Sequence, residues 1–121
     1  MSPTTDRHPI EGAALLVAGA KASVPLERLP PLLEAAQAHL APRKGEYERR
    51  YECVHADGGR RTFLAEPGHW RALGDELGFE DREADAVARA HAEQVRRLGR
   101  ELGRAEELGT ALEIREAVVV A

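Results

Sequence analysis

Apolar positions from Glu80 onward recur in steps of four and three. Ala84, Ala88, His91, Val95, Leu98, Leu102, Ala105 and Gly109 form one seam, the spacing that keeps a helix face turned toward a partner. The pattern predicts a long helix over about 80–108, roughly 40 Å at ~1.5 Å per residue. Glu80 and Asp81 suit its N-terminus through the helix dipole. A helix of that length exceeds what a small core needs, so the seam points to self-association. The interface residues would be His91, Val95, Leu98 and Leu102.

Shorter periodic stretches precede it. Ile10, Ala13, Ala14, Val17 and Ala18 share one face of a short helix starting after Pro9. Ser23 is the expected N-cap of the next helical segment. Pro30 and Pro31 lack N–H donors and cannot sit inside a helix, so the main second helix is expected from about Pro31 to Leu40. Leu32, Leu33, Ala36 and Leu40 make its apolar face, and Pro42 ends it.

The middle of the chain changes character. Asp57-Gly58-Gly59 separates two runs containing aromatic residues and Thr, which predicts a β-hairpin over about 46–65. Tyr47, Tyr51 and Cys53 would share one face of its first strand. A helix with Tyr47, Tyr51 and Val54 at helical spacing is the competing reading. Trp70, Leu73 and Leu77 then predict a two-turn helix capped by Gly78. Val118-Val119-Val120 suits a short strand added to the hairpin, although a helix through Leu112 and Ile114 competes. The hexapeptide Leu73–Gly78 echoes Leu98–Gly103, and one pair of matches in an Ala-, Leu- and Gly-rich chain does not make a repeat.

The fold class is therefore α+β, mostly α: two helices, a hairpin, a helix, a long helix and a possible C-terminal strand. Residues 1–8 read as a disordered tail and 9–121 as one domain.

Composition narrows the function classes. The net charge of −4 argues against a general nucleic-acid coat. The single Cys53 gives no intramolecular disulfide. Ala13 to Ala20 is too short for a bilayer, which needs about 20 apolar residues, so a cytoplasmic protein without membrane contact is expected.

Arg43, Lys44, Arg49, Arg50, Arg60 and Arg61 gather around the hairpin. Arg49, Arg50, Arg60 and Arg61 would touch phosphates if the hairpin were the wing of a DNA-binding regulator, but Glu46, Glu48, Glu52 and Asp57 are interleaved. Arg89, Arg96, Arg97, Arg100 and Arg104 form a second basic stripe, read as a solvated face. Cys53, His55 and His69 are weak metal candidates for a small sensor and match no strong zinc spacing. No catalytic constellation or cofactor motif emerges, and none is expected. The reading is a non-enzymatic protein–protein interaction module, homodimeric or with a protein partner. A DNA-binding regulator and a metal sensor are the alternatives.

Overall fold

The structure is a computed structural model that describes residues 8–21 and 24–121. Ser23, the expected N-cap, and most of the expected tail lie outside those residues. His8, which the sequence places in the tail, is buried.

Helix α1 spans Gly12–Lys21 and α2 spans Leu29–Leu40, with a 3-10 turn at Leu26–Arg28 before α2. Ile10, Ala14 and Ala18 are buried, whereas Val17 faces out. Pro30 and Pro31 fall in the first turn of α2, where their missing N–H groups would have had no intrahelical partner. The helix therefore begins two residues before the expected Pro31. Pro42 ends it only in form. It sits in a 3-10 turn, Ala41–Arg43, that feeds straight into α3, Lys44–Arg50.

This third helix corrects the hairpin boundary. Strand β1 covers Glu52–Asp57 and β2 covers Arg60–Ala65, so Tyr47 is helical and Tyr51 only caps its helix. Both readings of this segment were partly right. Tyr47 and Tyr51 stand one helical turn apart, and the extended run starts immediately after them. The strands pair from Glu52↔Leu64 to Asp57↔Arg60, with a bulge between Cys53 and His55.

Helix α4 spans His69–Leu77 and α5 spans Asp81–Leu102. Glu83 reaches back to accept the Glu80 N–H at 2.8 Å and also binds Arg28, which fixes the start of α5. The helix does not run to residue 108. Gly103 adopts the left-handed conformation at φ 69° and a separate α6 covers Ala105–Ala111. The echoed hexapeptides account for this. Phe79 N–H reaches the Gly74 carbonyl at 2.8 Å, and Arg104 N–H reaches the Gly99 carbonyl at 2.7 Å. Gly78 and Gly103 each take the left-handed C-terminal position of the same Schellman stop. The upstream glycines also match. A Cβ on Gly74 would lie 2.8 Å from the Ala84 Cβ, and one on Gly99 would lie 3.2 Å from the Ala105 Cα. One short motif thus ends both helices and lets the next helix fold back closely. Gly99 and Gly103 shape this chain's own turn.

The C-terminal strand is present. Strand β3, Glu116–Val120, pairs antiparallel with β2, giving the sheet order β1-β2-β3. The fold is α+β and mostly helical, as the sequence pattern implies. Helix α5 packs on α1, α2, α4, α6 and β3. Its buried face is wider than a two-position seam and includes Ala86, Val87, Ala90 and Gln94. Gln94 and Glu11 exchange two 2.8 Å hydrogen bonds that lock the chain before α1 onto it.

Strand β3 would expose an unpaired edge, but side chains complete it. The Trp70 indole N–H donates to the Ala117 carbonyl at 2.9 Å. The Val119 N–H donates to His91 Nδ1 at 3.0 Å. Gln37 donates to the Val119 carbonyl at 3.4 Å and accepts from the Ala121 N–H at 2.7 Å. Three side chains from three helices thus do the work of a fourth strand.

Candidate functional site

Helical periodicity puts the ring of Tyr47 on the inner side of α3, next to Phe63 of β2, with centroids 5.8 Å apart. One turn later Tyr51 lies 5.2 Å from Tyr47. Helix α4 supplies the facing wall. Its N-terminus is held by Glu116, whose carboxylate accepts the Gly68 N–H at 3.2 Å and the Trp70 N–H at 2.9 Å. A carboxylate is favoured there by the helix dipole. That anchor fixes His69 opposite Tyr47, and the Tyr47 hydroxyl meets His69 Nε2 at 2.6 Å.

Between α3 and α4 lies a cleft of about 340 Å³. Tyr47, Tyr51 and His69 line it with Leu73 and Ala72, and its charged lining is Arg43, Glu46, Arg50, Glu66 and Glu76. His39 closes one side. The tyrosine and histidine rings meet nearly edge-on, at 82° for Tyr47–His69 and 87° for Tyr51–His69. Arg50 pairs with Glu66 at 3.4 Å and lies 5.1 Å above the Tyr51 ring.

The electrostatics fix the protonation states. Burial, reinforced by Glu66, pushes the Tyr47 phenol up to about 12. Burial and a hydrogen bond to Glu66 push Tyr51 up to about 12. Partial burial raises the Glu66 carboxyl, but the Tyr51 hydroxyl and Arg50 outweigh it and hold the group below the usual carboxylate range. Burial holds His69 below the ordinary imidazole value against the opposing pull of Glu66. At neutral pH both phenols are protonated and His69 is neutral. Whichever of Tyr47 and His69 donates, His69 Nδ1 is buried and has no partner among the described residues. A buried unpaired ring nitrogen is uncommon in a purely structural contact.

The sequence-derived candidates are dispersed. Cys53 is exposed, with its thiol 3.3 Å from the His55 carbonyl. His55 lines a smaller pocket of about 80 Å³ with Asp57, Thr62 and Gln94, whereas His69 lines the large cleft. Among the described residues no group of three His, Cys, Asp or Glu is placed to hold a metal ion. Cys53 and His55 flank the bulge of β1, whereas His69 opens α4.

The basic residues of the hairpin are largely engaged. Arg61 reaches Glu48 at 3.5 Å, Arg50 reaches Glu66, and Lys44 donates to the Gly59 carbonyl at 2.7 Å. Arg49 is exposed, and Arg60 lines the smaller pocket. In the second stripe, Arg96 pairs with Glu93 at 2.8 Å, and Arg104 pairs with Glu107 at 2.7 Å.

Of the expected interface residues, His91 and Val95 are buried inside this chain and cannot meet a partner. Leu98 is half-buried, and Leu102 is 41% exposed. The seam is consumed because α1, α4 and β3 surround α5. The Tyr47–His69 pair escaped the sequence reading because a strand assignment pointed Tyr47 elsewhere. The spacing of Tyr47 and Tyr51, one turn apart, was the signal that could have found it.

Among the described residues, a three-stranded antiparallel sheet packed with six α-helices, with a polar aromatic cleft between the third and fourth, defines a small α+β domain. Residues 8–121 match a domain of unknown function, DUF8048, and the chain belongs to that family. No curated protein and no solved structure matches it.

Proposed function

We propose that this protein is a small non-enzymatic interaction module that recognises its partner through the cleft between α3 and α4. One observation carries the reading. The cleft is floored by a short Tyr47–His69 hydrogen bond whose histidine retains an unpaired buried nitrogen, and charged side chains from both walls surround it. Polar groups converging on a concave aromatic surface are what recognition of a specific ligand requires. The hydroxyl that meets His69 is the Tyr47 phenol, and burial holds it protonated, which disfavours it as a nucleophile and supports a non-enzymatic reading.

Ala72 is exposed and lines the cleft, so Ala72→Trp fills it without touching the core. The wild-type protein and Ala72→Trp are compared as baits at equal concentration, with circular dichroism confirming an unchanged fold. Partners lost selectively from Ala72→Trp support the cleft. A partner set retained in full by the variant overturns it.

Self-association is a second reading, supported by the exposure of Leu102 at 41% and Ile114 at 67%. Exposed large apolar side chains are what a dimer would cover. Light scattering of the wild type against Leu102→Asp decides it: a dimer that becomes a monomer supports it, and a wild-type monomer removes it. Among the described residues no helix is long and apolar enough to cross a membrane, and we place the module in the cytoplasm.

A further inference from the structure

The charges of the cleft do not cancel, and the imbalance has a direction. Arg50 is engaged by Glu66 and lies over Tyr51. Arg43 donates to the His39 carbonyl at 2.6 Å, which turns its guanidinium back toward the end of α2. Three carboxylates against two guanidiniums leave one negative charge in excess, and the carboxylates that Arg50 does not engage are Glu46 on α3 and Glu76 on α4. Both are exposed, and neither has an ion-pair partner among the described residues. They belong to the two elements that wall the cleft, and both act on the Tyr47 phenol. The field at the cleft floor has the same sign. After burial, the strongest influences on the Tyr47 phenol are Glu66, Glu76 and Glu46, which raise it, and Arg50, which lowers it.

We infer that the cleft binds an organic cation, a guanidinium or an alkylammonium, held between Glu46 and Glu76 against the Tyr47 and Tyr51 rings. Aromatic faces and carboxylates are the two partners such a cation takes, the first through the ring quadrupole and the second through charge-assisted hydrogen bonds. The protein already shows the mode once, in Arg50 over Tyr51 paired with Glu66. A cleft of about 340 Å³ accommodates one long basic side chain or a small free amine. Leu73 and Ala72 offer apolar surface for its methylene stem. The inference rests on the cleft being the binding site, and the test separates the two.

The probes are blocked arginine amide, its neutral isostere blocked citrulline amide, the same arginine flanked by glycines, and free agmatine. Binding is followed by calorimetry at millimolar concentrations and by fluorescence. Trp70 is the only tryptophan, and its ring lies 4.9 Å from His69. The arginine probes are expected to bind and citrulline to fail. Because both carboxylates are exposed, Glu46→Gln with Glu76→Gln leaves the fold intact and weakens binding at least roughly tenfold. Tighter binding of the peptide identifies a basic residue of a protein as the source. Tighter binding of agmatine identifies a small amine. Citrulline binding as well as arginine, or affinity unchanged in the double variant, overturns the cation assignment, and abolition of that binding by Ala72→Trp would keep the cleft itself. No binding by any probe overturns the cation assignment, and the cleft itself is then decided by the Ala72→Trp comparison of partners.

Discussion

Two buried histidines contact the same tryptophan, and they are built for different work. By ring centroids, His91 lies 4.5 Å and His69 4.9 Å from Trp70. His91 is 1% exposed, and its Nδ1 accepts the Val119 N–H that would otherwise be stranded at the sheet edge. His69 is 7% exposed, shares one nitrogen with Tyr47 and leaves the other unpaired beside a cleft. The difference lies in what each side chain completes. One finishes the backbone accounting of the fold, and its loss strands a main-chain donor. The other finishes nothing in the fold and carries a polar group held at a cost the fold does not need.

The comparison breaks first at His91. His91→Ala leaves a cavity and an unpaired N–H, and is expected to destabilise the protein by about 3–4 kcal/mol. His91→Asn can present its side-chain oxygen near the position of Nδ1 and should lose about half as much. Urea denaturation of both variants measures the gap. Equal losses would mean that the Val119 hydrogen bond contributes nothing.

The same residue sets the acid response. Burial lowers His91 from 6.5 to about 3, with small contributions from His69 and His8. Above pH 6.5 both folded and unfolded forms are neutral and the group has no effect. Below it the unfolded chain takes up a proton that the folded chain refuses, so stability falls as pH falls, down to about pH 3. His8 and His69 are also lowered by burial and act in the same sense. By pH 5, before carboxylates titrate in the unfolded chain, His91 alone should remove about 2 kcal/mol. Urea midpoints across this range should slope downward in the wild type, and the slope should flatten in His91→Asn.

Trp70, shared by both histidines, gives the next smaller effect. Trp70→Phe keeps an aromatic ring but strands the Ala117 carbonyl, which its indole N–H caps at 2.9 Å. A loss of about 1–2 kcal/mol is expected, followed by circular dichroism because the variant has no tryptophan. A neutral substitution would show that the outer edge of β3 does not depend on its side-chain caps.

How much of this was legible in the chain follows from how local each cause is. The Asp57-Gly58-Gly59 turn, the acidic start of the long helix and the β-branched tail are written in neighbouring residues, and the hairpin, α5 and β3 follow from them. The stop at Gly103 was written too, as the echo of Leu73–Gly78, but its meaning depends on α6 folding back within 3.2 Å of a Cβ position at Gly99. Polar side chains on α5 hid the fact that its whole inner face is buried. Gln94 looks like a surface residue until Glu11, 83 positions away, returns its hydrogen bonds. The cleft was the least legible part. Tyr47 and His69 are 22 residues apart on different elements, and a strand assignment for Tyr47 severed them.

The smallest expected effect is the sharpest test of the contrast. Tyr47→Phe with His69→Phe removes both hydroxyl and imidazole from the cleft floor while keeping ring volume. If His69 were a fold-completing residue like His91, this double change would cost several kcal/mol. Replacing both partners of a buried hydrogen bond by apolar groups of similar shape is nearly neutral, and the unpaired Nδ1 disappears with them. The double variant is therefore expected to stay within about 1 kcal/mol of the wild type in urea denaturation. It should also lose the fall in stability that His69 contributes below pH 6.5. A retained fold with altered ligand capture would separate the two histidines by function. A large loss of stability would make them the same kind of residue and remove the unpaired nitrogen as an argument for a binding site.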